Sequence, residues 1–209
     1  QLANERPYLQ RQIDATRNAF GVKGVEGQNY TPNKQPGSKE LQEYSKTLPN
    51  VRLLDPELLS PTFRQQQQLQ GFYDFANPLD IDRYPDAKGQ PQDTLVAVRE
   101  LTGPPENASG WVNEHLTYTH GYGFVSAKGN QVDPESKGPV YQTYGMPQDC
   151  SDKLGDGTCR IRIDKPQVYF GERSPQYSIV GNQKELDYPP NQQTVYTGIG
   201  GVRMDSFVN

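Results

Sequence analysis

The run Thr94-Leu-Val-Ala-Val-Arg-Glu-Leu101 carries the strongest strand pattern of the chain. Successive side chains alternate on an extended backbone, so Leu95, Ala97 and Arg99 share one face. The opposite face carries valine side chains beside polar ones, so neither face is purely polar. We therefore expect a strand with both faces at least partly covered by the rest of the domain.

The chain before this strand has mainly helical patterns. Residues 4–20 predict an amphipathic helix that Gly21 ends, and a shorter helix is expected over 40–47. Asp55-Pro56 is expected to open a helical turn. Ser60, as N-cap, and Pro61, at the first helical position, then predict a better helix that runs to about Gln70. These helices make the first 70 or so residues the helical part of the chain.

Short extended segments dominate the remainder. We expect further strands at residues 72–75, 78–84, 124–127, 160–163, 168–170 and 177–180. Ser109 can cap a short helix that Gly121 and Gly123 end. The predicted fold class is α+β, with a mixed or antiparallel sheet, a few short helices and many loops. We expect one domain over 1–209, strand-rich from about residue 71.

Composition excludes several functional classes. The 209 residues carry a net charge of only -4 and show no basic stripe, so we expect no nucleic-acid partner. The 13 tyrosines supply large packing surfaces, which favours a folded domain over a disordered tail. No apolar run approaches the roughly 20 residues that span a bilayer. We therefore expect the chain itself to be soluble.

The two cysteines of the chain, Cys150 and Cys159, flank a turn-forming segment with two glycines. Their closeness across a flexible loop predicts one local disulfide in an oxidising compartment. Two unlinked thiols in a surface loop are the alternative. Zinc is disfavoured because the pair has neither a CxxC spacing nor nearby histidines.

Both histidines and the one tryptophan lie in the run Trp111-Val-Asn-Glu-His115-Leu-Thr-Tyr-Thr-His120-Gly-Tyr-Gly123. A metal site would use Glu114, His115 and His120. However, a five-residue step turns the two imidazoles apart on a helix, and an odd step puts them on opposite faces of a strand. We therefore expect no metal and no cofactor in this run.

Two other interpretations of the run stay open. In the first, His115 or His120 is a general base oriented by Glu114 or an aspartate, although no nucleophile motif of the GxSxG kind accompanies them. In the second, which we favour, Trp111 and Leu116 anchor the core and the histidines tie neighbouring loops by hydrogen bonds. The glycine-rich Gly198-x-Gly200-Gly201 is expected to be a tight turn, because it lacks the Lys-Ser/Thr of a phosphate loop.

The histidine run resembles the signature of an uncharacterised family of multi-pass bacterial membrane proteins of actinobacteria and cyanobacteria, known only by a UPF label. The resemblance extends in order over most of the chain, through Glu5-Arg-Pro-Tyr8, Thr16-Arg17, Val51-Arg-Leu-Leu-Asp55, Leu59-Ser-Pro-Thr62, Asp93-Thr94, Val98-Arg-Glu-Leu101, Tyr169-Phe-Gly-Glu172, Tyr177-Ser-Ile-Val180, Leu186-Asp-Tyr-Pro189 and Tyr196-Thr-Gly-x-Gly-Gly201. The family brings no assigned activity with it.

The resemblance implies a fragment of a large extracytoplasmic region, at the outer face of the bacterial cell membrane. It implies membrane spans before Gln1 and further chain after Asn209. The expected partners are the remainder of the polypeptide and its membrane spans, with envelope proteins or lipids as further candidates. We expect a structural or interaction module in cell-envelope assembly or transport. The alternative is an envelope hydrolase or transferase that acts on a lipid or glycan with a histidine base.

A domain cut from a larger assembly should expose apolar surface that neighbours normally cover. We therefore expect an exposed apolar or aromatic patch near the two chain ends. Its expected members are Tyr8, Phe20, Val202 and Phe207.

Overall fold

The computed structural model describes residues 2–27, 29, 37–44, 51–182, 185–186 and 196–204. The chain divides into two compact units, Gln1–Gln42 and Glu43–Asn209.

The first unit contains helix α1 (Leu2–Ala19), and helix α2 (Ser38–Tyr44) starts within it. Helix α1 agrees with the predicted helix over 4–20. Gly21 follows it in the left-handed region (φ 67°), and the Val22 amide donates to the Arg17 carbonyl, which closes the helix. Tyr8 and Phe20 are exposed, as is Val202 in the second unit. Phe207 lies outside the described residues, and a shared surface of the four side chains stays a prediction.

Helix α3 (Pro56–Gln67) lies within the second unit. The predicted N-cap at Ser60 is wrong. Asp55 is the cap, because its carboxylate accepts the Glu57 amide at 3.0 Å and Pro56 then occupies the first turn. The buried Ser60 hydroxyl instead donates to the Ala76 carbonyl. Phe63, on the same helix, points into the core.

Within the described residues of this unit, nine strands follow in chain order. They are β1 (Tyr73–Asp74), β2 (Asp80–Pro85), β3 (Pro91–Val98), β4 (Glu100–Leu101), β5 (Gly121–Tyr122), β6 (Phe124–Val132), β7 (Pro139–Tyr144), β8 (Asp149–Cys150) and β9 (Gln167–Val168). Strands β2-β3-β6-β7-β8 form an antiparallel sheet, and β1-β4 and β5-β9 form two small antiparallel pairs. The predicted α+β fold with an antiparallel sheet is confirmed.

The run from Thr94 to Leu101 is divided between two strands, β3 and β4, rather than forming one. Arg99 interrupts it, because its backbone leaves the main sheet and bonds to the segment around β5. Its amide donates to the Gly123 carbonyl and its carbonyl accepts the Tyr122 amide, both at 3.0 Å. Glu100 and Leu101 then pair with β1. Both faces of the run are nevertheless buried, as the pattern predicted.

Several strand predictions need correction. Residues 160–163 and 177–180 form no strand, while β7 and β8 are strands that the sequence pattern did not identify. The main core lies between α3 and one face of the large sheet, and it contains Phe63, Phe75, Leu79, Leu95, Ala97, Val125 and Ala127. A second cluster joins Tyr73, Leu101 and Tyr122 near the two small strand pairs.

Candidate aromatic site

The histidine run begins with a helical turn that passes into a π-helix over Asn113–Thr117. The prediction that Trp111 anchors the core is wrong, because 54% of its surface is exposed. Leu116 is only half-buried. The π-helix begins two residues after Trp111 and none of its residues is fully buried, so this end of the helix lies at the surface of the second unit. Gly121 and Gly123 were expected to end this helix, but Gly121 also has a packing role. A Cβ at Gly121 would lie 2.0 Å from the Arg99 carbonyl oxygen, so this position has no room for a side chain.

His115 belongs to a surface cluster with two other aromatic rings. It stacks on Tyr177, with ring centroids 4.0 Å apart and planes 5° from parallel. Its Nδ1 lies 3.1 Å from the Tyr177 carbonyl oxygen, and the Trp111 indole N–H donates to the Tyr177 hydroxyl. The backbone is also tied here, since the Ile179 amide donates to the His115 carbonyl. These bonds hold an exposed aromatic surface in a defined arrangement.

His120 lies in a different, buried cluster. Its side chain and that of Glu185 are 0% and 3% exposed, and Nδ1 lies 3.6 Å from a Glu185 carboxylate oxygen. The Thr119 hydroxyl donates to the same oxygen at 2.7 Å and lies 3.0 Å from His120 Nδ1. The Tyr169 hydroxyl also donates to Glu185, and its ring packs against His120 at 4.7 Å. The structure thus brings a histidine, a carboxylate and a hydroxyl together.

This cluster is not arranged as a proton relay. In a nucleophile–base–acid triad the hydroxyl and the carboxylate bind opposite nitrogens of the imidazole. Here Thr119 and Glu185 both face Nδ1 of His120. Because the Thr119 proton goes to Glu185, Nδ1 must donate rather than accept. The geometry therefore suits a structural network.

The charge state of Glu185 follows from its contacts. Burial by itself raises the pKa of Glu185, but hydrogen bonds from His120, Thr119 and the Gly181 amide outweigh burial and lower it below the ordinary value. A carboxylate with a lowered pKa is a weak general base at neutral pH. This argues against activation of Thr119 by Glu185.

The lowered pKa predicts an acid-sensitive contribution to stability. A carboxyl whose pKa is lower in the folded state stabilises fully above its unfolded pKa, and loses that effect as pH falls through the folded pKa. Glu185→Gln should therefore lower the free energy of unfolding by about 1–3 kcal/mol at pH 7. The difference in stability between the variant and the wild type should become smaller toward pH 3. Urea melts across this range test it, with exposed Glu172→Gln as control. A difference that is constant with pH would contradict it.

The other predicted site residue, Glu114, is exposed and its carboxylate accepts the Gly110 amide at 3.4 Å. Glu185, which no sequence motif indicated, is a carboxylate that contacts His120. Among the residues that the structure describes, no three His, Cys, Asp or Glu side chains converge as metal ligands. His115 and His120 lie in separate clusters, each against its own tyrosine.

A cavity of about 520 Å³ opens between the two histidine clusters. Thr119 and Tyr169 of the buried cluster line it, as does Tyr177 of the exposed cluster. The turn predicted at Gly198–Gly201 closes one side. The close approach explains its glycines, since a Cβ on Gly198 would lie 2.4 Å from the Tyr196 ring and one on Gly200 would lie 2.8 Å from Phe170.

Because Trp111 is exposed, its replacement by a smaller residue should change the stability of the fold only slightly. Trp111→Ala should lower the free energy of unfolding by about 1 kcal/mol or less, because surface substitutions remove little buried area. A buried indole would instead lose about 3–5 kcal/mol. Urea denaturation measures the difference, and Trp111→Phe, which keeps an aromatic ring, is the control. The fluorescence emission of Trp111, the one tryptophan of the chain, should also be that of a solvated indole. A decrease of about 3 kcal/mol in the free energy of unfolding of Trp111→Ala would contradict the prediction.

The predicted disulfide between Cys150 and Cys159 is present, with Cα atoms 5.9 Å apart. Cys150 is buried at the end of β8, and a bridge between Lys153 and Cys159 closes the loop. Arg160 reinforces the loop through Asp152 at 3.1 Å.

Loss of this bond should be measurable. The Cys150→Ser/Cys159→Ser double variant should be less stable by roughly 2.5–3 kcal/mol, because closure of the loop restricts the unfolded chain. Intact mass without reductant should be two hydrogens below that of the reduced chain. Two thiols open to alkylation in the native protein would contradict the bond, and alkylation after unfolding in reductant is the control.

Several residues of the site could not be identified from local sequence patterns. Tyr169, Tyr177, Tyr196 and Glu185 carry no motif of known chemistry. What pointed to these residues was the resemblance to the UPF family. Three of the matching segments begin at the three tyrosines, and all three segments line the same cavity.

Comparison with known proteins agrees with that signal. The sequence profile of the Uncharacterised protein family (UPF0182) matches residues 1–209. A UPF0182 protein of Thermobifida fusca is 44% identical over 191 residues, which are 91% of this chain and 18% of that protein. A UPF0182 protein of Frankia casuarinae is 45% identical over 213 residues, 97% of this chain and 20% of the relative.

The chain thus spans about a fifth of the length of these curated relatives. No solved structure matches it. None of the helices in the described part of the chain has the length and apolar character that a membrane crossing requires. The profile match and the relatives together show that this chain belongs to the UPF0182 family, an uncharacterised protein family.

Proposed function

We propose that this chain is an extracytoplasmic interaction module of a multi-pass bacterial membrane protein, and that it serves cell-envelope assembly or transport. The observation that carries the proposal is the exposed cluster of Trp111, His115 and Tyr177. Exposed tryptophan and tyrosine side chains are enriched at recognition sites, because they bury large areas with little loss of conformational entropy. Here hydrogen bonds already hold the rings in place.

The disulfide supports the outer location. Disulfides persist in oxidising compartments outside the cytoplasm and are rare in reducing ones. The bond between Cys150 and Cys159 joins the end of the main sheet to its neighbouring loop. The length of the relatives supports a role within a larger polypeptide, whose remaining parts are the first expected partners.

The competing function is an envelope hydrolase or transferase. A histidine, a carboxylate and a hydroxyl beside a cavity are the groups that such an enzyme would need, and His120, Glu185 and Thr119 supply them. Its geometry does not, because the hydroxyl and the carboxylate share one imidazole nitrogen and His120 has no exposed side-chain surface. Binding is therefore the function that the arrangement supports best.

Topology in cells tests the proposal. A full-length family member with cysteine at the position of exposed Ser109 should react with a membrane-impermeant maleimide in intact cells. Cysteine at the position of buried Phe63 is the matched control and should stay unlabelled. Labelling of the Ser109 position only after permeabilisation would overturn the extracytoplasmic assignment.

A further inference from the structure

The cavity between the histidine clusters has a wall of aromatic rings. Tyr169 and Tyr196 pack edge to face with centroids 4.7 Å apart, and Phe170 and Tyr177 complete the wall. Phe170 is strongly exposed, and half of the Tyr177 surface is open to solvent. Gly200 and Gly201 line one side of the cavity without a side chain, so the turn can lie close to the ring of Phe170. The rings therefore offer apolar faces to a ligand of limited size.

No charged side chain lines the cavity among the residues that the structure describes. Each described side chain that lines it is aromatic, aliphatic, hydroxyl or amide. The adjacent carboxylate of Glu185 is occupied, with one oxygen bound by Thr119 and Tyr169 and the other by the Gly181 amide. An ionic ligand would lose its hydration here without meeting an opposite charge. The cavity therefore favours a neutral ligand.

Polar side chains lie along one edge of the aromatic wall. Ser174, Gln176 and Ser178 line the cavity on a single irregular segment. Within the described part of the chain, none of these three side chains makes a hydrogen bond. A purely apolar ligand, such as an acyl chain, would leave them desolvated and unpaired, at about 1–3 kcal/mol each. The segment instead suits a ligand that has hydroxyl groups at its edge.

A pyranose ring combines these properties. Its C–H face is apolar and packs on aromatic rings, while its hydroxyl groups both donate and accept hydrogen bonds at the rim. Beyond Tyr177, the exposed indole of Trp111 continues the aromatic surface through its bond to the Tyr177 hydroxyl. The surface is thus longer than a single ring.

We propose that the cavity and Trp111 form a binding site for a neutral oligosaccharide. One sugar ring packs in the cavity between the tyrosines, with its hydroxyls on Gln176 and the two serines, and the next packs on Trp111. This proposal rests on the proposed function, for which it names the ligand class. Through this site, an extracytoplasmic module would attach the membrane protein of which it is part to a glycan of the envelope.

Saturation-transfer NMR and calorimetry on the purified 209-residue chain test the site. The probes are chitotriose, cellotriose and maltotriose at up to about 10 mM, well above the millimolar affinity of a weak site. At least one should bind. Gln176→Ala and Tyr177→Ala should each weaken its binding at least tenfold. The matched controls are Gln131→Ala and Tyr8→Ala, which replace the same residue types at exposed positions elsewhere and should bind as the wild type does.

Two results would overturn the site. One is no binding of any trisaccharide by a chain whose circular dichroism shows it folded. The other is sugar binding that Gln176→Ala and Tyr177→Ala leave unchanged. A proline-rich decapeptide and neutral phosphatidylcholine vesicles are the remaining probes; binding of either in place of the sugars also rejects the glycan assignment. These measurements do not depend on topology, so their failure is distinct from failure of the maleimide test.

Discussion

Arg99→Ala is expected to lower the free energy of unfolding by about 3–5 kcal/mol, among the largest effects of any single substitution in this chain. Arg99 has no exposed surface, and no described carboxylate contacts its guanidinium. Backbone and amide oxygens surround it instead. Nε donates to the Gln67 carbonyl, Nη2 to the Gln67 side chain at 3.2 Å, and Nη1 to the Gly145 carbonyl at 3.3 Å.

These bonds join the end of α3 to the turn after β7, with the backbone of Arg99 joined to β5. Burial lowers the pKa of Arg99 to about 10, so the guanidinium remains charged at neutral pH. Alanine would leave a cavity and unpaired acceptors in one step. Gly123 shows how tight the packing is, because a Cβ there would lie 2.5 Å from Arg99 Nη1.

Chemical denaturation of the variants measures this effect. Arg99→Lys should also destabilise, because an ammonium group lacks the planar fork that reaches several acceptors at once. Arg83→Ala is the matched control, since its side chain is 68% exposed and its ion pair with Asp93 should contribute less than about 1 kcal/mol. An Arg99→Ala midpoint equal to that of the wild type would contradict the bridging role.

Phe63→Ala is expected to destabilise the second unit by about 3–5 kcal/mol. Phe63 is fully buried and carries the contact between α3 and the main sheet. Its ring meets Phe75 edge to face at 6.0 Å and Tyr141 at 5.2 Å. Truncation would remove both contacts and open a cavity that the two-sided packing cannot close.

The same helix offers the control for this substitution. Leu58 is 76% exposed on α3, so Leu58→Ala should change the free energy of unfolding by about 0.5 kcal/mol or less. Thermal melting of both variants compares the loss of core packing with truncation of an exposed side chain on the same helix. Equal melting temperatures for Phe63→Ala and Leu58→Ala would mean that α3 does not depend on this core.

Much of the local structure was predictable because its causes are local. Gly21 ends α1 by its left-handed conformation, and the turn between Cys150 and Cys159 brings the two thiols together. Alternation along β3 indicated a strand with both faces covered, as observed. The pairs Asp55-Pro56 and Ser60-Pro61 both carry the pattern of a helix start. The main helix was predicted from the second pair, but α3 begins at the first, where Asp55 caps the free amides.

The site was less predictable because its members are distant in sequence. Thr119 and Glu185 are separated by 66 residues, and so are Trp111 and Tyr177. No spacing rule connects such residues. Trp111 was expected in the core because a large ring is usually buried, yet the π turn after it lies at the surface.

The sequence by itself determined the fold class, the disulfide and the membership of a family, because turn chemistry, alternation and motif order act over short stretches. Only the tertiary structure decided which large side chains are buried. Burial of the charged Arg99 required carbonyls from Gln67 and Gly145, and burial of His120 required Glu185. Such groups leave water only where distant segments supply their hydrogen bonds, so their placement is a property of the assembled fold.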